Sequence, residues 1–431
     1  MNGVWELRAL AARQWWPRPE LEELQLQRLR RLVKHAASEV PFYRRLYAGA
    51  GVGVPEITSV DDLRRLPVVR RQDIQALPGE DLVAGGTNLA RCIRTRTSGS
   101  TGVPLEVLSS RSDRSVFNPS FFRVYLAWGL RPWHRLTYFQ ARPETLRIRS
   151  WYEGLGIFRR QMLFSLDEPA HWIEAIRTWR PHLIHGYSLT LKLLAEAVTR
   201  AGVDDLRVPL VVSTSGVLDE VGRTMLRTAL GAQVVDIYAS EEAGSVIAWE
   251  CPRCEGYHLC TDTVVAELLK DGRPARPGED AEVVVTNLSN FTMPLIRYEQ
   301  GDIVRVSDRT PVCGRGFPLI ESVCGRAGDY VVLPSGRRLT PHPFFLVLDH
   351  AMGVGCWQVV QEAIDHIVVR TTVGAGLERA DVEGIRRGLA ELVGDGVRID
   401  VAVVENLRKS PAHKLRSVVS LLPESPIQSE A

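Results

Sequence analysis

Between residues 183 and 240, short apolar runs alternate with helical stretches at a regular spacing, and that alternation constrains the fold most. Leu183-Ile-His-Gly precedes a helical stretch over 188–201, and Leu210-Val-Val-Ser-Thr-Ser-Gly precedes another over 218–229. Val234-Val-Asp-Ile-Tyr then follows. Strands alternating with helices in this way predict β-α units on a parallel sheet. A chain of 431 residues with 45% hydrophobic content can bury the core that such a sheet needs.

The flanks read differently. Residues 20–50 carry a helical apolar pattern (Leu21, Leu24, Leu29, Leu32, Val33, Ala36), closed by Pro41. After residue 260 strands dominate, expected at 264–269, 281–286, 302–306 and 330–333. The run Gly325-Arg326-Ala327-Gly328-Asp329 marks a further change. Beyond it lie a strand over 367–373, a helix over 379–393 and a strand over 397–404, enough for a small α+β domain. The expected class is therefore α/β: a large N-terminal domain with mixed and parallel sheets over 1–324, a hinge at 325–329, and a small, mobile C-terminal α+β domain over 330–431. Residues 423–431 read as a tail.

Composition narrows the function classes. A net charge of +2 leaves no electrostatic footprint for nucleic acid or an anionic membrane. Glu6, Arg8 and Arg13 interrupt the first sixteen residues, which predicts neither a signal peptide nor a membrane insertion. Seven cysteines, an odd number, suit free thiols or metal ligands in a reducing compartment, so the expectation is cytoplasmic.

Five local patterns carry candidate chemistry. Thr97-Ser98-Gly99-Ser100-Thr101-Gly102 interleaves hydroxyls with glycines; such a loop lets backbone N–H groups approach phosphate oxygens, although taken alone it is also an ordinary loop. Tyr238-Ala-Ser-Glu241-Glu242 follows a predicted strand, where an aromatic can cover a base and a carboxylate can hold Mg2+; a solvated acidic turn is the plain alternative. Asp302, in Arg297-Tyr-Glu-Gln-Gly-Asp302, suits a ribose diol or merely forms a turn. Arg326 offers a guanidinium to a diol or phosphate, or is a surface arginine. Lys414 stands in the basic loop before 417–421, able to bridge a carboxylate and a phosphate or simply solvated.

The order of these elements over more than three hundred residues resembles the adenylate-forming superfamily, in its phenylacetate–CoA ligase-like and capsule-biosynthesis-like branch. Val40-Pro-Phe-Tyr43, Ile184-His-Gly-Tyr187, Ala248-Trp-Glu-Cys251, Met293-Pro-Leu-Ile-Arg-Tyr298 and Cys313-Gly-Arg-Gly-Phe-Pro318 add to the resemblance, which covers about residues 25–420. It implies that Thr97 to Gly102 hold the phosphates of ATP. Ser215, Gly216 and Tyr238 frame the adenine, Glu242 binds Mg2+, and Asp302 and Arg326 take the ribose hydroxyls. Lys414 contacts the carboxylate and the α-phosphate.

By the same resemblance, Tyr138, Phe139 and the neighbourhood of Tyr187 line an acyl pocket. The implied partners are a small-molecule carboxylic acid, aromatic by analogy, and an acyl acceptor; a homodimer stays open. The implied activity is ATP-dependent formation of acyl-AMP, then transfer to coenzyme A. Transfer to an amine or hydroxyl, as in natural-product or polysaccharide assembly, is the alternative, and a non-catalytic ligase fold is a third reading. Four positions depart from the family pattern. Val103 stands where many relatives carry lysine, Ala239 replaces a glycine, Glu241 replaces Ser or Thr, and Gly328 takes the place of an acidic hinge residue.

Cys251-Pro-Arg-Cys254 has the spacing of a zinc knuckle. Cys260 and Cys313 complete a candidate four-thiol structural Zn2+ site, in which His258 can substitute for one thiol. Unliganded cysteines are the alternative.

Overall fold

The computed structural model describes residues 2–52, 56–96, 105–140, 150–253, 255–326, 330–339, 341–348, 351, 354–373, 381–394, 396–405, 407 and 417–422. Contacts divide the chain into two compact units, one of residues 1–131 and 235–323, the other of 132–234 and 324–431. The expected hinge falls partly on 327–329, outside the described residues.

In the first unit, helix Arg18–Glu39 buries Leu21, Leu29, Leu32, Val33 and Ala36 at helical spacing. Val40 and Pro41 end it, because proline has no N–H to continue the ladder. The next helix, Pro41–Gly49, carries Tyr43 into the same core. The Tyr43 hydroxyl accepts from the Ile296 N–H at 2.8 Å and donates to the Pro294 carbonyl at 3.2 Å. Burial pushes its pKa up, so it stays a neutral phenol. Each fully buried leucine of this cluster is worth roughly 1.5–3 kcal/mol. The paired hydroxyl therefore adds direction more than energy, fixing helix to segment 293–298.

The sheet of this unit runs in the order Arg273–Pro274, Val264–Lys270, Asp280–Asn287, Tyr298–Val306, Leu319–Arg326, Tyr257–Leu259, Ser245–Glu250 and Gln233–Ser240. Gln233–Ser240 and Ser245–Glu250 form an antiparallel hairpin, so no helix follows the strand at Tyr238. A separate antiparallel pair, Ile93–Arg96 with Glu106–Ser109, flanks the hydroxyl-rich loop.

The second unit holds two of the strands read from the sequence, Leu183–Tyr187 and Leu210–Thr214, with two that the sequence did not single out. Arg160–Phe164, Leu136–Gln140, Leu183–Tyr187 and Leu210–Thr214 are neighbours in that order, each pair parallel. Helix Ser188–Arg200 starts directly after one strand. Helix Glu220–Leu230 starts two residues later than the sequence suggests, where Asp219 accepts the Gly222 N–H at 2.8 Å as N-cap.

The remainder of this unit contains a four-stranded sheet in the order Arg398–Val403, His366–Val373, Val354–Ala363 and Val418–Ser420. Helix Val382–Val393 packs into its core through Ile385, Leu389 and Val393. Fully buried Gln361 donates to the Val332 carbonyl at 2.6 Å and accepts from the Val332 N–H at 2.9 Å and the Ser420 hydroxyl at 3.0 Å.

Candidate active site

Thr97 to Gly102 and Val103 lie outside the described residues, between hairpin strands whose register runs from Ile93↔Ser109 to Arg96↔Glu106. The base of that hairpin is tied down. Leu108 accepts from the Asn290 side-chain amide at 2.9 Å, and Asp113 accepts from the N–H and hydroxyl of Ser110 and from Phe291 N–H.

Tyr238 is not in a loop. It lies inside strand Gln233–Ser240, next to a bulge at which Tyr238↔Ala248 gives way to Ala239↔Val246. Asp302 does not open its strand, as the expected strand over 302–306 would have it, but sits within Tyr298–Val306. There Ile303 pairs with Glu282 while Glu299 pairs with Val284, so residues 300–302 face the single residue Val283. Gly301 adopts φ 71° in this bulge, a conformation glycine takes without steric cost. The two bulges aim their side chains at each other: the Tyr238 hydroxyl donates to Asp302 Oδ2 at 2.8 Å. An aromatic ring and a carboxylate assigned to the base and the ribose of one nucleoside are thus in direct contact.

Glu241 and Glu242 occupy the turn that closes the hairpin of Gln233–Ser240 with Ser245–Glu250. Ser240 Oγ accepts the Ala243 N–H at 3.0 Å, and Asn287 Nδ2 donates to the Glu242 carbonyl at 3.2 Å. Gly244 closes the turn at φ 64°, where a Cβ would stand 2.5 Å from Asn287 Nδ2. Glu242 is buried. Glu241 turns to Arg114, whose guanidinium donates to both carboxylate oxygens at 2.8 and 3.4 Å and lies 4.1 Å over the Phe117 ring. The second carboxylate is therefore neutralised.

Ser215 and Gly216 belong to the second unit. Ser215 has φ 61°, a sparsely populated conformation for a residue with a Cβ. Gly216 lies so close to the Ser188 hydroxyl that a Cβ would strike it. The loop is held by a buried ion pair of Lys192 with the N-cap Asp219. On the neighbouring strands Tyr138 stacks on His185 with ring centroids 5.4 Å apart, and burial lowers the His185 pKa to about 4, keeping it neutral. Arg326 ends its strand half-buried. Lys414 and Gly328 lie outside the described residues.

Of the metal candidates, Cys251, His258 and Cys313 bring their ligand atoms within 4.8 Å of one another, and all three residues are buried. Cys260 is not in that group. Burial pushes its thiol up to about 12, and it lies against Arg123 and Trp249. Cys254 lies outside the described residues.

The sequence reading did not single out Arg114, Asn287 or Lys192. Arg114 is 127 positions from its partner and no local pattern marks it. Asn287 carried a weak signal, an Asn-Leu-Ser-Asn run after an apolar strand.

The described residues thus hold a parallel α/β sheet, a bulged antiparallel sheet bearing the Tyr238–Asp302 pair, and a small α+β sheet with its own core. The chain is similar to a phenylacetate–coenzyme A ligase of Thermus thermophilus, with 28% identity over 74% of this chain and 73% of the relative. It is also similar to Protein CapK of Staphylococcus aureus, with 19% identity over 93% and 89%. A solved 2-hydroxyisobutyryl-CoA ligase in the postadenylation state, in complex with 2-HIB-AMP, superposes with a TM-score of 0.78 at 20% identity, covering 95% of this chain and 91% of that one. No family model matches the chain. These likenesses support the adenylate-forming superfamily for this chain.

Proposed function

We propose that this enzyme, an AMP-forming acyl-CoA ligase, activates an aromatic carboxylic acid with ATP and passes the acyl group to coenzyme A. The observation that carries the reading is the Tyr238–Asp302 hydrogen bond, which joins a ring suited to an adenine and a carboxylate suited to a ribose diol. Support for coenzyme A as acceptor and for an aromatic acid comes from the ligase relatives and from the stacked Tyr138–His185 pair.

A carboxylate is a poor electrophile, so the first step exchanges a poor leaving group for a good one. A carboxylate oxygen attacks the α-phosphorus, the bond from that phosphorus to the bridging oxygen breaks, and pyrophosphate leaves. In the second step the thiol sulfur attacks the acyl carbon, AMP leaves, and the thiol proton passes to solvent. Asp302 and Tyr238 orient the nucleoside, and Arg114 keeps Glu241 from repelling the phosphates. Glu242 would hold Mg2+, which neutralises phosphate charge when bound. Thr97 to Gly102 would supply hydroxyls and N–H groups to the phosphates, and Lys414 would stabilise charge on the α-phosphate. Ser215, Gly216 and Arg326 complete the nucleotide contacts in this reading, and the C-terminal domain rotates about 325–329 to present the acceptor site.

The test is pyrophosphate release measured over a panel of aromatic and aliphatic acids, with and without coenzyme A. Release that requires an aromatic acid, with coenzyme A thioester as product, is the expected result. Turnover accelerated only by an amine or hydroxyl acceptor overturns the acceptor, and preference for aliphatic acids overturns the substrate class.

A further inference from the structure

Ser307 to Pro318 is a long connection without a helix or strand, yet it buries Cys313, Arg315 and Phe317. A loop of about twelve residues without secondary structure is uncommon inside a compact unit unless something organises it. Part of the organisation is visible. Gly316 N–H donates to the Gln14 carbonyl at 3.1 Å, and Arg315 donates to Gln14 Oε1 at 2.9 Å while lying 4.3 Å from the Trp15 ring and 5.0 Å from the Trp249 ring. None of these contacts explains the clustering of three soft or borderline ligands at its centre.

His258 lies on the short strand Tyr257–Leu259, paired to Trp249 on one side and to Leu319 on the other, so its backbone is fixed from both directions. Its Nε2 stands 3.5 Å from Cys313 Sγ, and the ring is buried beside the backbone of Phe317. Cys251 follows the end of strand Ser245–Glu250 and brings its thiol into the same space. Zinc binds thiolate sulfur at about 2.3 Å and imidazole nitrogen at about 2.0–2.1 Å, which across a tetrahedral angle separates the two ligand atoms by about 3.5 Å. The observed Cys313–His258 distance matches that separation. Two thiolates and a neutral imidazole around Zn2+ also carry no net charge, the balance a buried site tolerates.

We propose that Cys251, His258 and Cys313 hold a structural zinc ion that staples the 245–259 hairpin to the 307–318 connection, and that Cys260 is not a ligand. Cys260 lies two residues beyond His258 but past the end of the strand, with Arg123 and Trp249 as neighbours. The ion belongs to the frame of the first unit and has no part in the acyl-transfer chemistry, so its failure and the failure of the ligase reading are separable.

The full chain, purified without chelator, is expected to carry about one zinc per chain by elemental analysis. X-ray absorption at the zinc edge is expected to show a mixed sulfur and nitrogen shell. Cys313→Ser is expected to lower the content about tenfold, and Cys260→Ala to retain it. Chelation should lower the melting temperature of the wild-type protein, a readout that stands if Cys313→Ser fails to fold. Zinc content near zero after growth and dialysis with added zinc overturns the proposal, as does a Cys251–Cys313 disulfide, an all-sulfur shell, or loss of zinc from a Cys260→Ala protein with native circular dichroism.

Discussion

Arg114 grips both oxygens of Glu241 from a position 127 residues earlier in the chain. The pair is partly exposed, with side-chain accessibilities of 23% and 31%, so its worth to stability is small. In the proposed nucleotide site its worth to ligand binding is larger, because a carboxylate released there would repel the phosphates of ATP.

Arg114→Met is therefore expected to raise the KM for ATP about tenfold, with folding stability changed by less than about 1 kcal/mol. Glu241→Thr in the same chain should recover most of that loss by removing the charge that Arg114 neutralises. A double-mutant cycle on pyrophosphate release checks it, and equal defects in the single and double variants would refute the neutralising role.

Tyr238→Phe removes one hydrogen bond to Asp302 and keeps the ring. The expected effect is about 1 kcal/mol, a roughly fivefold rise in the KM for ATP with little change in kcat. Asp302→Asn should weaken binding of ATP further, since the ribose would lose a charged acceptor. Titration calorimetry with a non-hydrolysable ATP analogue measures both.

Arg123 and Asp262 form a fully buried ion pair with bonds of 2.8 and 3.0 Å. Removing one partner strands a charge, so Asp262→Ala is expected to cost about 3–5 kcal/mol. For a chain of 431 residues that lowers the melting temperature by roughly 3–6 °C. Arg123→Met together with Asp262→Leu should recover most of the loss, which calorimetric scans of the three variants would reveal.

His185 gives the protein a pH dependence with a defined sign. Its imidazole titrates near 6.5 when unfolded and near 4 when folded, because burial disfavours the charged form. Between those values the unfolded chain binds the additional proton. Stability should therefore fall as pH drops from about 6.5 to about 4, by roughly 3 kcal/mol in all, and then level off for this group. The comparison of urea midpoints between wild type and His185→Gln isolates the contribution. A variant with an unchanged slope would remove His185 from the account.

What the sequence made legible follows the range of the forces involved. Strand Leu183–Tyr187 and helix Ser188–Arg200 are written in local periodicity, and Asp219 marks the next helix start by its own side chain. The strand Val354–Ala363 escaped notice because Gln358, Gln361 and Glu362 interrupt its apolar run. At the site, Tyr238 and Asp302 were each legible as chemistry, but their contact depends on two bulges in different hairpins and no spacing encodes that. Glu241 looked like a liability because its partner comes from another part of the chain. Cys260 and His258 sit two apart, which suggests a shared face, but the strand ends at Leu259 and the alternation stops with it.

Gln361 has a mechanical consequence. By pairing with both backbone groups of Val332, its amide acts as a length of neighbouring strand and welds that residue to the C-terminal sheet. A lever cannot bend within its own welded arm. If the small sheet turns during the catalytic cycle, its fulcrum lies upstream of Val332, and every residue from there to the sheet is carried along as payload.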